Sequence, residues 1–260
     1  MGRFDNKVTL ITGGGSGIGR AAALQLASEG ARLSLVDISA KGLAVTAEEI
    51  EKASPGTEVI TVTADVSSET DVERYVADTV AAYGRIDGFF NNAGIEGTQN
   101  LIQDTSTDEF DRVLSINLRG VFLGLKHVLA VMKEQGSGAV VNTASVGGIR
   151  GTGLQSPYAT SKHGVVGLTR NAGVEYGQYG VSVNAIAPGA VLTPMVEEYL
   201  RQLDPDNPEE AARKFLSDNP MKRFATLDEV AHLIAFLLSG EAPFINAAVI
   251  TIDGGQSYRY

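Results

Sequence analysis

Val8-Thr-Leu-Ile-Thr12 runs directly into Gly13-Gly14-Gly15-Ser16-Gly17-Ile18-Gly19, and a helical pattern, Arg20-Ala-Ala-Ala-Leu-Gln-Leu-Ala27, follows at once. The first run reads as a short strand apolar on both sides, as burial between two layers requires. Glycines at the turn let the backbone bend tightly and approach a pyrophosphate, whose charge sits well on the amides of a helix N-terminus. The spacing over Gly13, Gly17 and Gly19 is G-x-x-x-G-x-G, and no G-x-G-x-x-G frame fits. Arg20-Ala21 stand where an ATP-binding P-loop needs Lys-Ser/Thr, so that reading fails. Asp37 ends the next strand-like run, 20 residues beyond Gly17, where an acid can hold an adenosine ribose hydroxyl. A bare glycine turn could be mere flexibility. Strand before, helix after and an acid at this distance make it a dinucleotide site.

The same alternation continues outward. Strands are expected at Val8–Thr12, Arg32–Asp37, Glu58–Thr63, Gly88–Asn91, Ala139–Thr143, Val181–Ile186 and Ala248–Ile252. Between them, Ala21–Ala27, Val72–Tyr83 and Val230–Leu238 carry apolar residues at helical spacing. Ser106 with Glu109, and Thr226 with Glu229, have the spacing of capping boxes. Strand–helix alternation of this kind predicts one α/β domain over 1–260, a Rossmann-type, doubly wound parallel sheet of about seven strands with helices on both faces. The one irregular stretch runs from Pro188 to Lys222 and contains Pro188, Pro194, Pro205, Pro208 and Pro220. Its length inside a compact domain reads as a lid loop over a site.

Composition narrows the function. The chain has 260 residues, of which 43% are apolar and 20% charged, which excludes disorder. A net charge of −10 argues against a nucleic-acid partner. Cysteine is absent, removing thiolate catalysis and disulfides, and His127, His163 and His232 share no metal-ligand spacing, so no metal is expected. No run of about 18 apolar residues or signal-peptide core stands out, so the expectation is no membrane and a cytoplasmic location.

Tyr158-Ala-Thr-Ser-Lys162 opens a helical stretch just after Pro157, a residue tolerated at a helix start. Four residues advance a helix by ~6 Å and leave both side chains on one face. Alone, the pair reads as packing plus a solvated lysine. Ser145, however, follows the strand Ala139–Thr143 at the carboxyl edge of the sheet, where open α/β sheets bind ligands.

Thr12-Gly-x-x-x-Gly-x-Gly19, Asn91-Asn-Ala-Gly94, Asn117, Ser145, Tyr158-x-x-x-Lys162 and Pro188-Gly189 stand in the order and spacing of the short-chain dehydrogenases/reductases, which the chain resembles along its whole length. The resemblance implies a hydride transfer between NAD(H) and a secondary alcohol or ketone, with a small, cyclohexanone-type ring as substrate. It gives Tyr158 the role of acid and base, Ser145 that of hydrogen-bonding the reacting oxygen, and Asn117 that of holding a water behind Lys162. A free phenol titrates near ~10, and bringing it to ~7 takes about 4 kcal/mol. A lysine cation at ~5 Å supplies roughly 3 kcal/mol of that at an effective dielectric of ~20.

By the same resemblance Gly13, Ser16, Gly17, Ile18, Gly19 and Asp37 hold the cofactor, as do Tyr158 and Lys162. Asp65 and Val66 meet the adenine, Asn92 lines the pocket, and Val191 and Thr193 meet the carboxamide. A generic strand-end turn and a buried core amide are the plain readings of Asp65-Val66 and Asn117. Beside Ser145 and Tyr158, the residues expected around the substrate are Glu96, Gln155 and Met195, with Val146, Ile149 and Leu154. Relatives of this kind pair into homotetramers, and Val121, Phe122, Leu125, Val165 and Leu168 offer apolar surface for it.

Other functions explain less. Thr143-Ala-Ser145-Val-Gly147 echoes a nucleophile elbow, but Thr143 stands where that elbow needs glycine. A silent NAD sensor would need only the glycine turn and Asp37. A 3-oxoacyl thioester reductase would need a basic surface for its acidic carrier, against a net charge of −10.

Overall fold

The computed structural model describes residues 2–258, the side chains of Gln202 and Leu203 excepted. Its first half holds β1 (Val8–Thr12), α1 (Gly17–Ser28), β2 (Arg32–Asp37), α2 (Ala40–Ala53), β3 (Val59–Thr63), α3 (Glu69–Tyr83) and β4 (Gly88–Asn91). There follow α4 (Thr107–Leu114), α5 (Gly120–Gln135), β5 (Gly138–Thr143), α6 (Ser156–Tyr176) and β6 (Val181–Pro188). The chain then forms α7 (Pro194–Leu203), α8 (Pro208–Phe215), α9 (Leu227–Ser239) and β7 (Val249–Ile252).

The strands form one parallel sheet in the order β3-β2-β1-β4-β5-β6-β7. Strand alternation divides the core into two. Leu10, Phe89, Val140 and Ala185 face α3, α5 and α6, while their neighbours Ile11, Phe90, Val141 and Ile186 face α1, α2 and α9. The connection after β1 crosses to one side and that after β4 to the other, so the crevice between their carboxyl ends is the switch point of the sheet.

All seven expected strands form, with shifts of one residue at β3, β5 and β7. Strand β6 continues two residues past its expected end. Beyond Ile186 it pairs with β7 alone, so the missing N–H of Pro188 interrupts no ladder toward β5. Thr226 and Glu229 form the full capping box, each side chain bonding the other's backbone. At Ser106 only half of it forms. Ser106 caps the Glu109 amide, but the Glu109 carboxylate turns instead to Thr98 N (2.8 Å) and Arg112.

The lid loop expected over 188–222 is largely helical. Thr193-Pro194 and Asn207-Pro208 are helix starts, each with its cap side chain on a first-turn amide and proline at the first helical position. Tyr199 meets Phe215 edge-on at 5.5 Å, and Phe215 stacks on Phe224 at 6.0 Å, so the two helices share a small aromatic core of their own. The helical run Thr107–Gln135 has the length and composition of a membrane span. In the fold it is a core helix, with Val121, Leu125, Val128 and Met132 packed on the sheet.

Tyr75 on α3 is fully buried, and its hydroxyl has no hydrogen-bond partner among the described residues. Burial alone pushes its phenol up. An unpaired buried hydroxyl costs its desolvation, so Tyr75→Phe is expected to leave stability unchanged or raise it by about 1 kcal/mol. The urea midpoint measures this, and a lowered midpoint with an unchanged slope would contradict it.

Candidate active site

The glycine turn is built by close approach. Gly13 has φ +69, and a Cβ there would lie 2.7 Å from Asn92 Nδ2. A Cβ on Gly19 would fall on the Gly13 carbonyl. Only glycine lets the start of α1 come so near the turn. Thr12 Oγ1 accepts from the amides of Asn92 (2.9 Å) and Ala93 (3.2 Å), and Asn92 Nδ2 returns a bond to the Thr12 carbonyl at 3.1 Å. Thr143 Oγ1 then donates to Asn92 Oδ1 at 3.1 Å. The ends of β1, β4 and β5 are thereby tied side by side, with Ser16 at the N-cap of α1 and its hydroxyl not spent on the cap.

Asp37 sits at the end of β2. One carboxylate oxygen accepts from Gly15 N and the other from Ser39 N, both at 2.9 Å. Arg20, one turn into α1, is turned to other partners. It donates to the Gly15 carbonyl (2.6 Å) and Thr46 Oγ1 (3.1 Å) and pairs with Glu49 at 3.3 Å.

A cavity of about 420 Å³ runs along the carboxyl edge between these groups. Gly13, Ser16, Gly17, Ile18, Asp37, Asp65 and Val66 line one end, and Asn92 lies between. Ser145, Tyr158 and Lys162 line the other, and Val191, Thr193 and Met195 border it too, with Thr193 lying against Gly17. Gly19 lies behind the wall, against Gly13. A nicotinamide dinucleotide fits this shape. The cradle leaves no room for side chains, backbone amides point outward at the start of α1, and a carboxylate stands at one end with the reactive side chains at the other.

Tyr158 and Lys162 occupy the first turns of α6, which starts where the segment after β5 returns to the sheet. Burial pushes the Tyr158 phenol up to about 12; its hydrogen bond with Ser145 works against this and the Glu96 charge adds to it. Lys162 is 4% exposed, donates to the Thr143 carbonyl at 2.8 Å, and is pushed down to about 8 by burial. Its Nζ stands 5.6 Å from the centroid of the Tyr158 ring. The lowering expected of Lys162 is only part of what the phenol needs, with an oxidised nicotinamide adding the rest, and in the chain by itself burial acts the other way. Desolvation is the largest cause of the shift in both groups.

Asn117 is fully buried at a π-helical turn (Ser115–Arg119) joining α4 to α5. Its amide brackets Ile95, accepting from Ile95 N (2.8 Å) and donating to Ile95 O (2.7 Å), and it also donates to Ser161 Oγ at 3.2 Å. The extra residue of the turn aims Asn117 inward, a distortion with no sequence signature.

Glu96 and Gln155 do not line the cavity. They bond to each other at 2.5 Å beside it. Ile149 and Leu154 are exposed, and Val146 belongs to the short helical turn after Ser145. Of the residues expected around the substrate, the cavity brings together Ser145, Tyr158 and Met195. Sequence reasoning passed over Thr143 and Ser161, whose polar atoms hold Asn92, Lys162 and Asn117. Small hydroxyl residues at strand ends and in helices are too common to stand out.

The family model described as Enoyl-(Acyl carrier protein) reductase matches residues 13–257. The chain is 61% identical over 258 residues to levodione reductase of Leifsonia aquatica, covering 99% of this chain and 97% of that one. It is 35% identical over 257 residues to cyclohexanol dehydrogenase of Acinetobacter sp. (strain SE19), covering 99% and 97%. The crystal structure of levodione reductase superimposes with a TM-score of 0.97, at 99% and 100% coverage. That of NAD+-bound xylitol dehydrogenase superimposes with a TM-score of 0.92 at 35% identity, covering 97% and 99%. With its glycine turn, its Ser145–Tyr158–Lys162 cluster and these likenesses in sequence and fold, the chain belongs to the short-chain dehydrogenase/reductase family and is an alcohol/ketone oxidoreductase.

Proposed function

We propose that the protein transfers a hydride between NAD(H) and a small cyclic, cyclohexanone-type ketone or its secondary alcohol, as a cytoplasmic homotetramer. The observation that carries this reading is the Tyr158 phenol, set beside Ser145 and the buried Lys162 on the wall of a cavity that Asp37 also lines. The names of the levodione and cyclohexanol relatives support the substrate class.

The bound nicotinamide supplies or accepts the hydride. The chain handles the proton. In reduction Tyr158 gives its proton to the carbonyl oxygen, and in oxidation it takes one from the alcohol. Ser145 donates a hydrogen bond to the same oxygen, a fixed dipole where charge develops. Lys162 places a cation behind the phenol, anchored to the Thr143 carbonyl. Asn117 holds the Ile95 backbone against α6 and keeps that wall in register. Gly13, Ser16, Gly17 and Ile18 would carry the pyrophosphate, Asp37 the adenosine ribose, Asp65 and Val66 the adenine, Asn92 the middle of the pocket, and Val191 and Thr193 the carboxamide. Around the ring, Met195 supplies apolar contact, and Glu96 and Gln155 stand behind Tyr158.

A panel of cyclic ketones and alcohols against acyl thioesters, followed at the nicotinamide absorbance, tests the reading. Thioester turnover far above that of the rings would overturn it. In Tyr158→Phe the ring stays and the proton carrier goes. Turnover is expected to fall by 10²–10⁴-fold or more, with NADH binding by fluorescence nearly kept.

Preference for NAD over NADP follows from Asp37. A 2′-phosphate at ~4 Å from this carboxylate, at an effective dielectric of ~20, meets up to about 4 kcal/mol of repulsion per unit charge. Even ~2 kcal/mol left after solvent relaxation is a preference near thirtyfold. Arg20, the compensating cation in reach by sequence, is engaged with Gly15, Thr46 and Glu49. The ratio of kcat/KM for NADH over NADPH is expected to be large in the wild type and to narrow in Asp37→Ala. A wild type that favours NADPH would refute the assignment.

For the tetramer, the support is exposed apolar surface on the helices that flank the site. Phe122 on α5 is 48% exposed and Val174 on α6 79%. Val121, Leu125 and Val165, expected on this surface, are instead buried in the core, and Leu168 packs against it. Light scattering is expected to report four chains, and a monomer at working concentration would contradict this.

A further inference from the structure

Two loops at the rim of the cavity are fastened to each other. Gln155 Nε2 donates to Glu96 Oε1 at 2.5 Å, the Asn100 amide donates to the Leu154 carbonyl at 3.0 Å, and Asn100 and Gln155 pair as a short parallel bridge. Gln155 is the N-cap residue of α6, yet its side chain caps nothing, because it is turned to Glu96. Leu154, just before it, has φ +63, a left-handed conformation unfavourable for a side chain of this kind. The backbone that leads into the helix of Tyr158 and Lys162 is thus held in an unfavourable shape by this clasp.

Glu96 has no cationic partner among the described residues. Burial raises its carboxyl to about 7, and the Gln155 amide works against that. The titratable groups around it are committed elsewhere or repelled. On α6, Lys162 donates to the Thr143 carbonyl, and the Tyr158 phenol is pushed up in part by the Glu96 charge. On α7, Tyr199 is also pushed up, first by burial and further by Glu96. Glu109 on α4 takes Thr98 N and Arg112, and Arg150, before the clasp, donates to the Gln256 carbonyl.

We propose that Glu96 is a positioning residue for the alcohol–ketone reaction, acting on Tyr158 through the hydrogen bond that fastens Gln155 at the start of α6 and through its own negative charge. Ionised Glu96 keeps the Tyr158 proton in place. It favours the acid needed for ketone reduction and opposes the base needed for alcohol oxidation. When Glu96 takes up a proton the charge disappears, while its carbonyl oxygen can still accept from Gln155. The inference rests on the oxidoreductase reading above, but concerns Tyr158 and not the identity of the ketone.

Two variants separate the two links. Glu96→Gln keeps an acceptor oxygen and removes the charge; Glu96→Ala removes both. In Glu96→Gln the pH at which kcat/KM for alcohol oxidation rises is expected to fall by about one unit. Ketone reduction at neutral pH should change by less than about twofold. Glu96→Ala should show the same shift and lose about tenfold in kcat in both directions, through the loosened start of α6. A readout without turnover is the ζ-¹³C tyrosine spectrum of the free protein, with the Tyr158 line identified by its loss in Tyr158→Phe. In Glu96→Gln that line should begin to move at lower pH than in the wild type. Superimposable oxidation profiles and an unmoved Tyr158 line would overturn the electrostatic link. Wild-type kcat in Glu96→Ala would overturn the fastening. If the wild type turns over none of the ring substrates, the functional reading is what fails, and the Tyr158 line still decides the role of Glu96.

Discussion

One hydroxyl holds the site together. Thr12 Oγ1 accepts from two successive amides, Asn92 and Ala93, across the point where the sheet reverses its winding. The switch-point crevice would otherwise be a gap between two strand ends whose loops leave in opposite directions. Asn92 carries the tie onward to Thr143, and the Thr143 carbonyl receives Lys162. The glycine turn that cradles one end of the cavity and the ammonium that serves the other are therefore linked through three threonine and asparagine side chains. Each contact satisfies a backbone or side-chain group that burial would otherwise leave unpaired.

That polar chain lies in surroundings that repel charge. Lys162 is almost fully buried and Tyr158 partly buried on the cavity wall, and this burial lowers the first group and raises the second. Low dielectric makes every fixed dipole at the reacting oxygen count for more, and it also keeps the phenol protonated in the free protein. Negative charge near Tyr158, that of Glu96, raises its phenol further.

Much of this was legible in the sequence, and for identifiable reasons. Strands such as Val8–Thr12 are short, β-branched and bounded by glycine, so their existence and order follow from local pattern. Asp37 stands at a telling distance from the glycine turn, and Tyr158 and Lys162 gain their meaning from Ser145 and the family resemblance. The rest depends on contacts between distant segments. The π-helical turn at Asn117, the inward commitment of Arg20, and the Glu96–Gln155 bond join residues whose neighbours in sequence say nothing of one another. The helices of 194–215 were hidden differently. Their prolines read as loop punctuation, although Thr193-Pro194 and Asn207-Pro208 are also good helix starts. Surplus apolar residues on α5 and α6 could not be divided between core and surface without the packing, which buries Val121 and Val165 and leaves Phe122 outside.

The segment from Pro188 to Lys222 is packed apart from the scaffold that carries Tyr158 and Lys162. Its two ends are anchored to the sheet side of the molecule. Val191 pairs with Ala225, and Asn219 donates to the Asp253 carbonyl at 3.1 Å. Between these anchors α7 and α8 rest chiefly on each other, through Tyr199, Phe215 and the stacked Phe224. Met195, in the first turn of α7, enters the cavity wall beside Thr193. This small unit borders the cavity, while Ser145 follows β5 and Tyr158 and Lys162 sit on α6. Loops carried on a rigid scaffold diversify. Here the scaffold fixes Tyr158 and Lys162, and a separately packed pair of helices borders the same cavity through Met195.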